Sequence, residues 1–442
     1  MIGKDKKSLK FSYFSGVFGG GMAGFTADYF TPFALLLGAT ARQVGFLNAL
    51  PNFFAALIQM RSAEITDKIR SRKKMVSLFF ILQSAVLLVI CYFAWTGGVP
   101  VAVFIGAVVF HTAFGAIVNP AWGSMLADLV PDRKRGKYFG WRNKTLGLIT
   151  VGTALMAGII LQGTKGGNVF YGFLVVFFLA FLFRVLSWFF LQKMEDVPLE
   201  VKEEDRFSML DFIGRLKESN FAKFVLFVSM MSFSVNIGSP YLAVLMLEDL
   251  QFSYLLYTLI NVAATLMVYL TMQRWGTHAD KIGNLKIIRF TSVLISGIPL
   301  LWIINRSPVY LVGVQVFAGF LWAGFNLCTS NFIYDAVTPA KRTRCIAYFN
   351  VFNGVAISLG TLLGGFLVHY LPALLGYKIL SLLLISAVVR MMVAMIMPAF
   401  LKEVRTVEAV DSNRLFFSMI GIRPILGVEE KTIRFHDEPG EG

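Results

Sequence analysis

The chemistry open to this chain lies in a few polar and ionisable side chains set within long apolar runs. Asp28, His111, Arg184 and Arg390 all sit inside such runs. Ionisable groups in lipid are costly and are functional candidates by default. Asp28 is the one acid deep in a run, about 25 Å along a helix from Phe11 at 1.5 Å per residue. Out of water a carboxylate holds its proton more readily. Asp28 therefore has three readings: a proton carrier, a contact for a substrate amine, or the outer end of its helix. His111 lies about 15 Å into its run, placed either to relay protons or bind substrate, or to pack as a neutral ring. Asn119, Asn236, Asn326 and Tyr241 suit hydrogen bonds to a solute in a wet cavity. Arg142, one turn past Tyr138, is a candidate anion contact. Arg184 and Arg390 point toward an anionic substrate on charge alone, but they stand toward the ends of their runs and read rather as snorkelling side chains or a structural pair.

Elements that hold such groups must be apolar and long. Of 442 residues, 56% are hydrophobic and 15% charged, with 43 Phe; a soluble domain carries about 25% charged residues. This excludes a soluble enzyme, a nucleic-acid binder and a secreted disulfide scaffold. A spanning helix needs about 20 apolar residues. Twelve runs qualify: Phe11–Gly38, Gln43–Met60, Met75–Trp95, Val101–Ala127, Tyr138–Gln162, Asn168–Gln192, Phe224–Leu247, Leu250–Gln273, Leu285–Asn305, Ser307–Tyr334, Cys345–His369 and Ile379–Leu401. They are apolar on every face and far longer than barrel strands, so their backbone groups must pair within each helix. The first is too long for a cleaved signal peptide and reads as a retained helix. Cys91, Cys328 and Cys345 fit no zinc or redox spacing and read as packing residues. No cofactor or metal is expected.

Net charge is +15, and topology accounts for it. With the N-terminus cytoplasmic, only Arg42, Lys165, Arg306 and Lys378 among 41 Lys and Arg fall in outer connections. Apart from Arg184 and Arg390, all the others are cytoplasmic, so the positive-inside rule places both termini in the cytoplasm of a multi-pass cytoplasmic-membrane protein.

The long connection before residue 223 divides the chain into a six-helix half (1–193), a linker (194–222), a second six-helix half (223–402) and a tail (403–442). In the linker, Phe207, Leu210, Ile213 and Leu216 have the spacing of a surface amphipathic helix. The halves echo each other. Ala63, Asp67 and Lys68 between segments 2 and 3 match Gly276, Asp280 and Lys281 between segments 8 and 9, the latter followed by Gly283. Asn119 and Asp128 match Asn326 and Asp335, and Arg184 matches Arg390. Such order at near-constant separation points to a duplicated unit. In each connecting loop the small residue admits a close helix approach, and the Asp can cap a helix or pair with Arg.

Twelve segments, the central linker and the motif Gly276-x-x-x-Asp280-Lys281-x-Gly283 together resemble the major facilitator superfamily over about residues 10–400. Pro131, Arg133, Arg135, Gly136, Tyr138, Phe139 and Gly140 look like the helix 4–5 loop of bacterial members. The first motif copy departs from the pattern, with Ala63 for Gly and Arg70 where a second Gly is usual. Segment 5 lacks the Gly-Pro of drug–proton antiporters, and Glu195-Asp196-Val197-Pro198 does not make a sugar-porter signature, so no subfamily is assigned. The resemblance implies an all-α membrane protein of twelve transmembrane helices in two six-helix bundles. It also implies alternating access by a rocker-switch with the site between the two halves, helices 1, 4, 7 and 10 lining the cavity and 3, 6, 9 and 12 as outer supports. Glycines gathered in segments 1, 5 and 11 would suit moving contacts between halves.

The function read from these features is secondary active transport of a small solute, coupled to protons. The expected partners are a small-molecule substrate, membrane lipids and protons, with no nucleic acid, and the chain is expected to act as a monomer. A lipid flippase of the same fold is the first alternative. A membrane-embedded enzyme is the second, and would need clustered His, Asp, Glu or Cys at one depth. Ala63, Asp67, Lys68, Gly276, Asp280, Lys281 and Gly283 are read as conformational gating loops.

Overall fold

A computed structural model describes residues 2–130, 135–164, 167–196, 219–337 and 339–404. The expected amphipathic linker helix and the tail lie outside these residues. Among them the chain is helical, apart from one antiparallel bridge between Leu374 and Tyr377. The first half comprises α1 (Ile2–Thr26), α2 (Phe30–Leu36), α3 (Ala41–Met60), α4 (Ser62–Ile69), α5 (Arg72–Thr96), α6 (Val101–Leu129), α7 (Arg135–Gly163) and α8 (Val169–Gln192). The second comprises α9 (Asn220–Gly238), α10 (Tyr254–Ile282), α11 (Asn284–Ile304), α12 (Pro308–Ala336), α13 (Pro339–Tyr370) and α14 (Lys378–Ile396). Helix starts are set by side-chain caps. Thr40 and Gln43 form a reciprocal capping box on α3, and Ser71, Asn168, Ser219 and Ser253 cap α5, α8, α9 and α10.

Two bundles result. In the first, α1 packs on α7 and α8, α5 on α6 and α8, and α3 on α6; in the second, α9 packs on α13 and α14, α10 on α12, and α11 on α12 and α14. The bundles meet along two seams, α3 with α13 and α7 with α10. The outermost described helices begin and end on one face, where Ser8 accepts from Glu195 N and Asn220 bonds the backbone of Lys402. This is called the terminal face below.

Ten of the described helices are long and apolar enough to cross a membrane. Of the twelve segments, those built by α1 with α2 and by α3 fall outside that set. Along α3, Asn48, Asn52 and Gln59 interrupt the apolar run, and all three face a cavity.

The first segment, expected as one helix, breaks between Thr26 and Phe30. Pro32 explains the break, because it has no N–H for the Asp28 carbonyl four residues earlier. Tyr257 of the other bundle supplies the missing donor, its hydroxyl bonding Asp28 O at 3.0 Å. The second half repeats the device: α9 ends in a 3₁₀ turn at Ser239–Tyr241 containing Pro240. There Arg390 donates to Val235 O and to Ser239 Oγ, each at 3.1 Å.

The glycine-rich segments divide their roles. Gly147 and Gly158 of α7, and Gly354 and Gly365 of α13, face the opposite bundle as expected, whereas Gly360 and Gly364 of α13 pack on α9 of their own half. Those of α1 pack instead on α7 and α8 of its own half.

Candidate functional site

A cavity of about 800 Å³ opens inside the first bundle. It extends from Gln59, next to the terminal-face end of α3, up to Phe30 and Thr31 on α2. His111 and Asn119 on α6 and Arg142 on α7 all line it, so three of the residues singled out in sequence converge on one space. Arg184 and Ser187 of α8 and Gln83 of α5 complete the polar wall. Helices 3 and 6, expected as outer supports, thus line this cavity too, and it lies within one half where the site was expected between the two. Arg184 does not snorkel either. It is 6% exposed, with its guanidinium 3.6 Å above the Phe80 ring. Nor do the two arginines pair: Arg184 lines this first-bundle cavity, and Arg390 lines another that lies between the bundles.

Gln83 donates to His111 O at 3.0 Å, and the Phe30 ring meets the His111 imidazole edge-on, so packing fixes this ring. Ser15 and Ser187 exchange hydrogen bonds with each other's carbonyls, clamping α1 to α8 beneath Arg184.

A second cavity, about 340 Å³, lies between the bundles. Asp28 lines it together with Arg390, Tyr257, Asn261 and Trp302. Ala27, Thr31 and Asn48 belong to the walls of both cavities, and Asn48 donates to Thr31 Oγ1 at 3.3 Å. That hydrogen-bonded pair separates His111 on one side from Asp28 on the other. On the side away from the terminal face, Tyr29 bridges the bundles through Thr258.

Residues 11–290 and 224–427 match the sequence family described as Major Facilitator Superfamily. The chain belongs to that superfamily. It is 25% identical over 367 residues to an uncharacterized MFS-type transporter of Methanocaldococcus jannaschii, covering 80% of this chain and 89% of that protein. Its fold is similar to the crystal structure of nucleoside transporter NupG, at 14% identity and TM-score 0.66, over 89% of this chain and 98% of that one. It is likewise similar to a bacterial homologue of iron transporter ferroportin in an inward-facing state, at 13% identity and TM-score 0.61, over 89% and 99%. Identities this low speak for the fold alone. As a superfamily member the chain is a multi-pass membrane transporter, of a family that is not one of enzymes.

The other singled-out residues lie elsewhere in the superfamily fold. Asn236 bonds back to Ser232 O within α9. Tyr241 is fully buried at the α3–α13 seam, its hydroxyl donating to Thr361 O. Asn326 is exposed on α12. Ala63, Asp67 and Lys68 form part of helix α4, and Gly276, Asp280 and Lys281 lie in the last two turns of α10. The expected loops are thus helical, and the reversal falls after them, at Arg70 (φ 54°) and Gly283 (φ 93°). The side chains of Ala63 and Asp67 lie outside the described residues.

Two acids outside the repeated motifs close the terminal face in parallel. Asp196 follows α8 and accepts from Ser71, the cap of α5, at 2.5 Å. Glu403 follows α14 and accepts from Leu285 N at the start of α11, at 2.7 Å. Among the described residues no group of three or more His, Cys, Asp or Glu could hold a metal. Cys91, Cys328 and Cys345 are free and buried.

Proposed function

We propose that this transporter is a secondary carrier that moves a small solute by alternating access, with the first-bundle cavity as its substrate site. The observation that carries the reading is a polar cavity reaching toward the terminal face and closed on the other side by bonds between bundles. Tyr29 to Thr258 and Tyr257 to Asp28 O form that closure. Glycine and small side chains along both seams let the halves rock with little steric cost.

Both termini lie in the cytoplasm and the protein sits in the cytoplasmic membrane, by the distribution of Lys and Arg. In this reading the described state faces the cytoplasm. Asp28 carries the coupling proton, since it lies at the inter-bundle cavity next to the closure that must open. The paired segments with Asp67 and Asp280 act as gates on the terminal face. The test is flux: purified protein in proteoliposomes should accumulate substrate under an imposed pH gradient. Accumulation that ignores the gradient would remove proton coupling, and flux that shows no counterflow of substrate would remove the carrier mechanism.

A further inference from the structure

We propose that the first-bundle cavity is an anion site, which takes a small organic solute through a carboxylate or phosphate group. This rests on the carrier reading above and names the substrate class. Arg142 is 7% and Arg184 6% exposed. Among the described residues neither makes a hydrogen bond or pairs with an acid, and the Nε of each is enclosed without a partner. Among the described residues that line the cavity there is no Asp or Glu. His111 Nε2 is likewise enclosed and unpartnered.

The duplicated half supplies the contrast. Arg390 uses its donors on Val235 O, Ser239 Oγ and Ser386 Oγ, and its cavity also contains Asp28. Arg184, its counterpart, keeps its donors free. Buried charges are ordinarily paired, because an uncompensated one is expensive. Two of them facing one cavity call for a counter-charge from outside the chain. They address the same stretch of α1: a Cβ at Gly16 would stand 2.5 Å from Arg142 Nη2, and one at Gly19 would stand 3.9 Å from Arg184 Nη1. Those positions are one turn apart, about 5–6 Å. The guanidinium fork matches the two oxygens of a carboxylate or phosphate, which a neutral or cationic solute cannot offer.

Asn119 is exposed to the cavity and gives a probe that needs no known substrate. In purified Asn119→Cys protein, a sulfonate-bearing methanethiosulfonate should outpace an ammonium-bearing one by about tenfold, after correction for their rates with free thiol. Arg142→Gln with Arg184→Gln should erase the preference, and Lys at both positions should restore most of it. A preference for the ammonium reagent, or one unchanged by the double Gln variant, overturns the proposal. Adenosine monophosphate against adenosine, glycerol 3-phosphate against glycerol, and phosphatidylglycerol against phosphatidylcholine in mixed micelles then serve as competitors. Protection by a soluble anion supports a small solute; protection by phosphatidylglycerol alone supports the anion site with a lipid headgroup as its source. Anion protection without flux in proteoliposomes would retire the carrier reading and leave the site standing. Flux of a neutral solute that survives both Gln changes would do the opposite.

Discussion

The hydroxyl of Tyr29, on a fully buried ring in the first bundle, lies 2.7 Å from Thr258 Oγ1 in the second and 2.5 Å from Ala154 O. One side chain thus ties α7 and α10 across a seam where Gly158 leaves no room for a Cβ beside Thr258. The one O–H donates to only one of these oxygens at a time, so removing it takes away a buried hydrogen bond worth about 1–1.5 kcal/mol. Tyr29→Phe should therefore loosen the closed side and shift a two-state carrier by about tenfold. A cysteine replacing Asn261, in the inter-bundle cavity, should then react faster with an impermeant thiol reagent added on that side. An unchanged rate would show that the bond does not hold the closure.

Two glycines should respond in opposite ways to alanine. At Gly360 a Cβ would collide with the carbonyl of Phe233 on α9, whereas at Gly106 nothing lies within 4 Å. Gly360→Ala should cost about 1–3 kcal/mol through overpacking. Gly106→Ala should be neutral or gain up to about 1 kcal/mol from the less flexible unfolded chain. Thermal unfolding in detergent separates them; equal midpoints would contradict the packing described.

Orientation is testable in intact cells. Ser307 is exposed on the turn before α12, and Lys68 is exposed on α4 at the terminal face. With the termini cytoplasmic, Ser307→Cys should label with an impermeant reagent from outside. Lys68→Cys should label only after permeabilisation. The reverse pattern would invert the protein.

For Asp28 the prediction concerns coupling. Asp28→Asn fixes the group in the shape of its protonated form. Accumulation driven by a pH gradient should fall to the level of passive equilibration, while substrate exchange at symmetric pH persists. Loss of exchange as well would make Asp28 a substrate contact. Normal gradient-driven accumulation would move the proton elsewhere, with His111 next to be tested.

Much of the architecture was legible because lipid leaves so few choices. Uninterrupted apolar runs of spanning length have to be helices, and the repeated Asp67 and Asp280 motifs exposed the duplication. The site was legible only in part. His111, Asn119 and Arg142 converge on one cavity, but Arg184 was misread because its place near a helix end suggested snorkelling. A better signal was its face: Phe177, Ala180, Arg184, Ser187 and Leu191 make one buried stripe of α8, with small and polar members where neighbouring turns carry Phe and Leu. Gln83 gave no comparable sign, since a lone amide in an apolar run fixes neither its direction nor its partner. Tyr241 looked like a cavity residue because a hydroxyl in lipid needs a partner, and it found that partner in the Thr361 backbone. The gates looked like loops because their charges suggested solvent. In fact i→i−4 bonding continues until positive φ at Arg70 and Gly283 ends it.

The polarity of α3 bears on how the protein is made. A nascent helix leaves the insertion channel for the bilayer according to its own affinity for lipid. With Asn48, Asn52 and Gln59 on one side, α3 partitions poorly as an isolated segment. Those amides lose contact with lipid only once α5 and α6 enclose the cavity around them. Stable insertion of α3 thus depends on residues synthesised after it, and truncating the chain before α5 should leave this helix at the channel or slipping back, an outcome that glycosylation tags placed at its two ends would record.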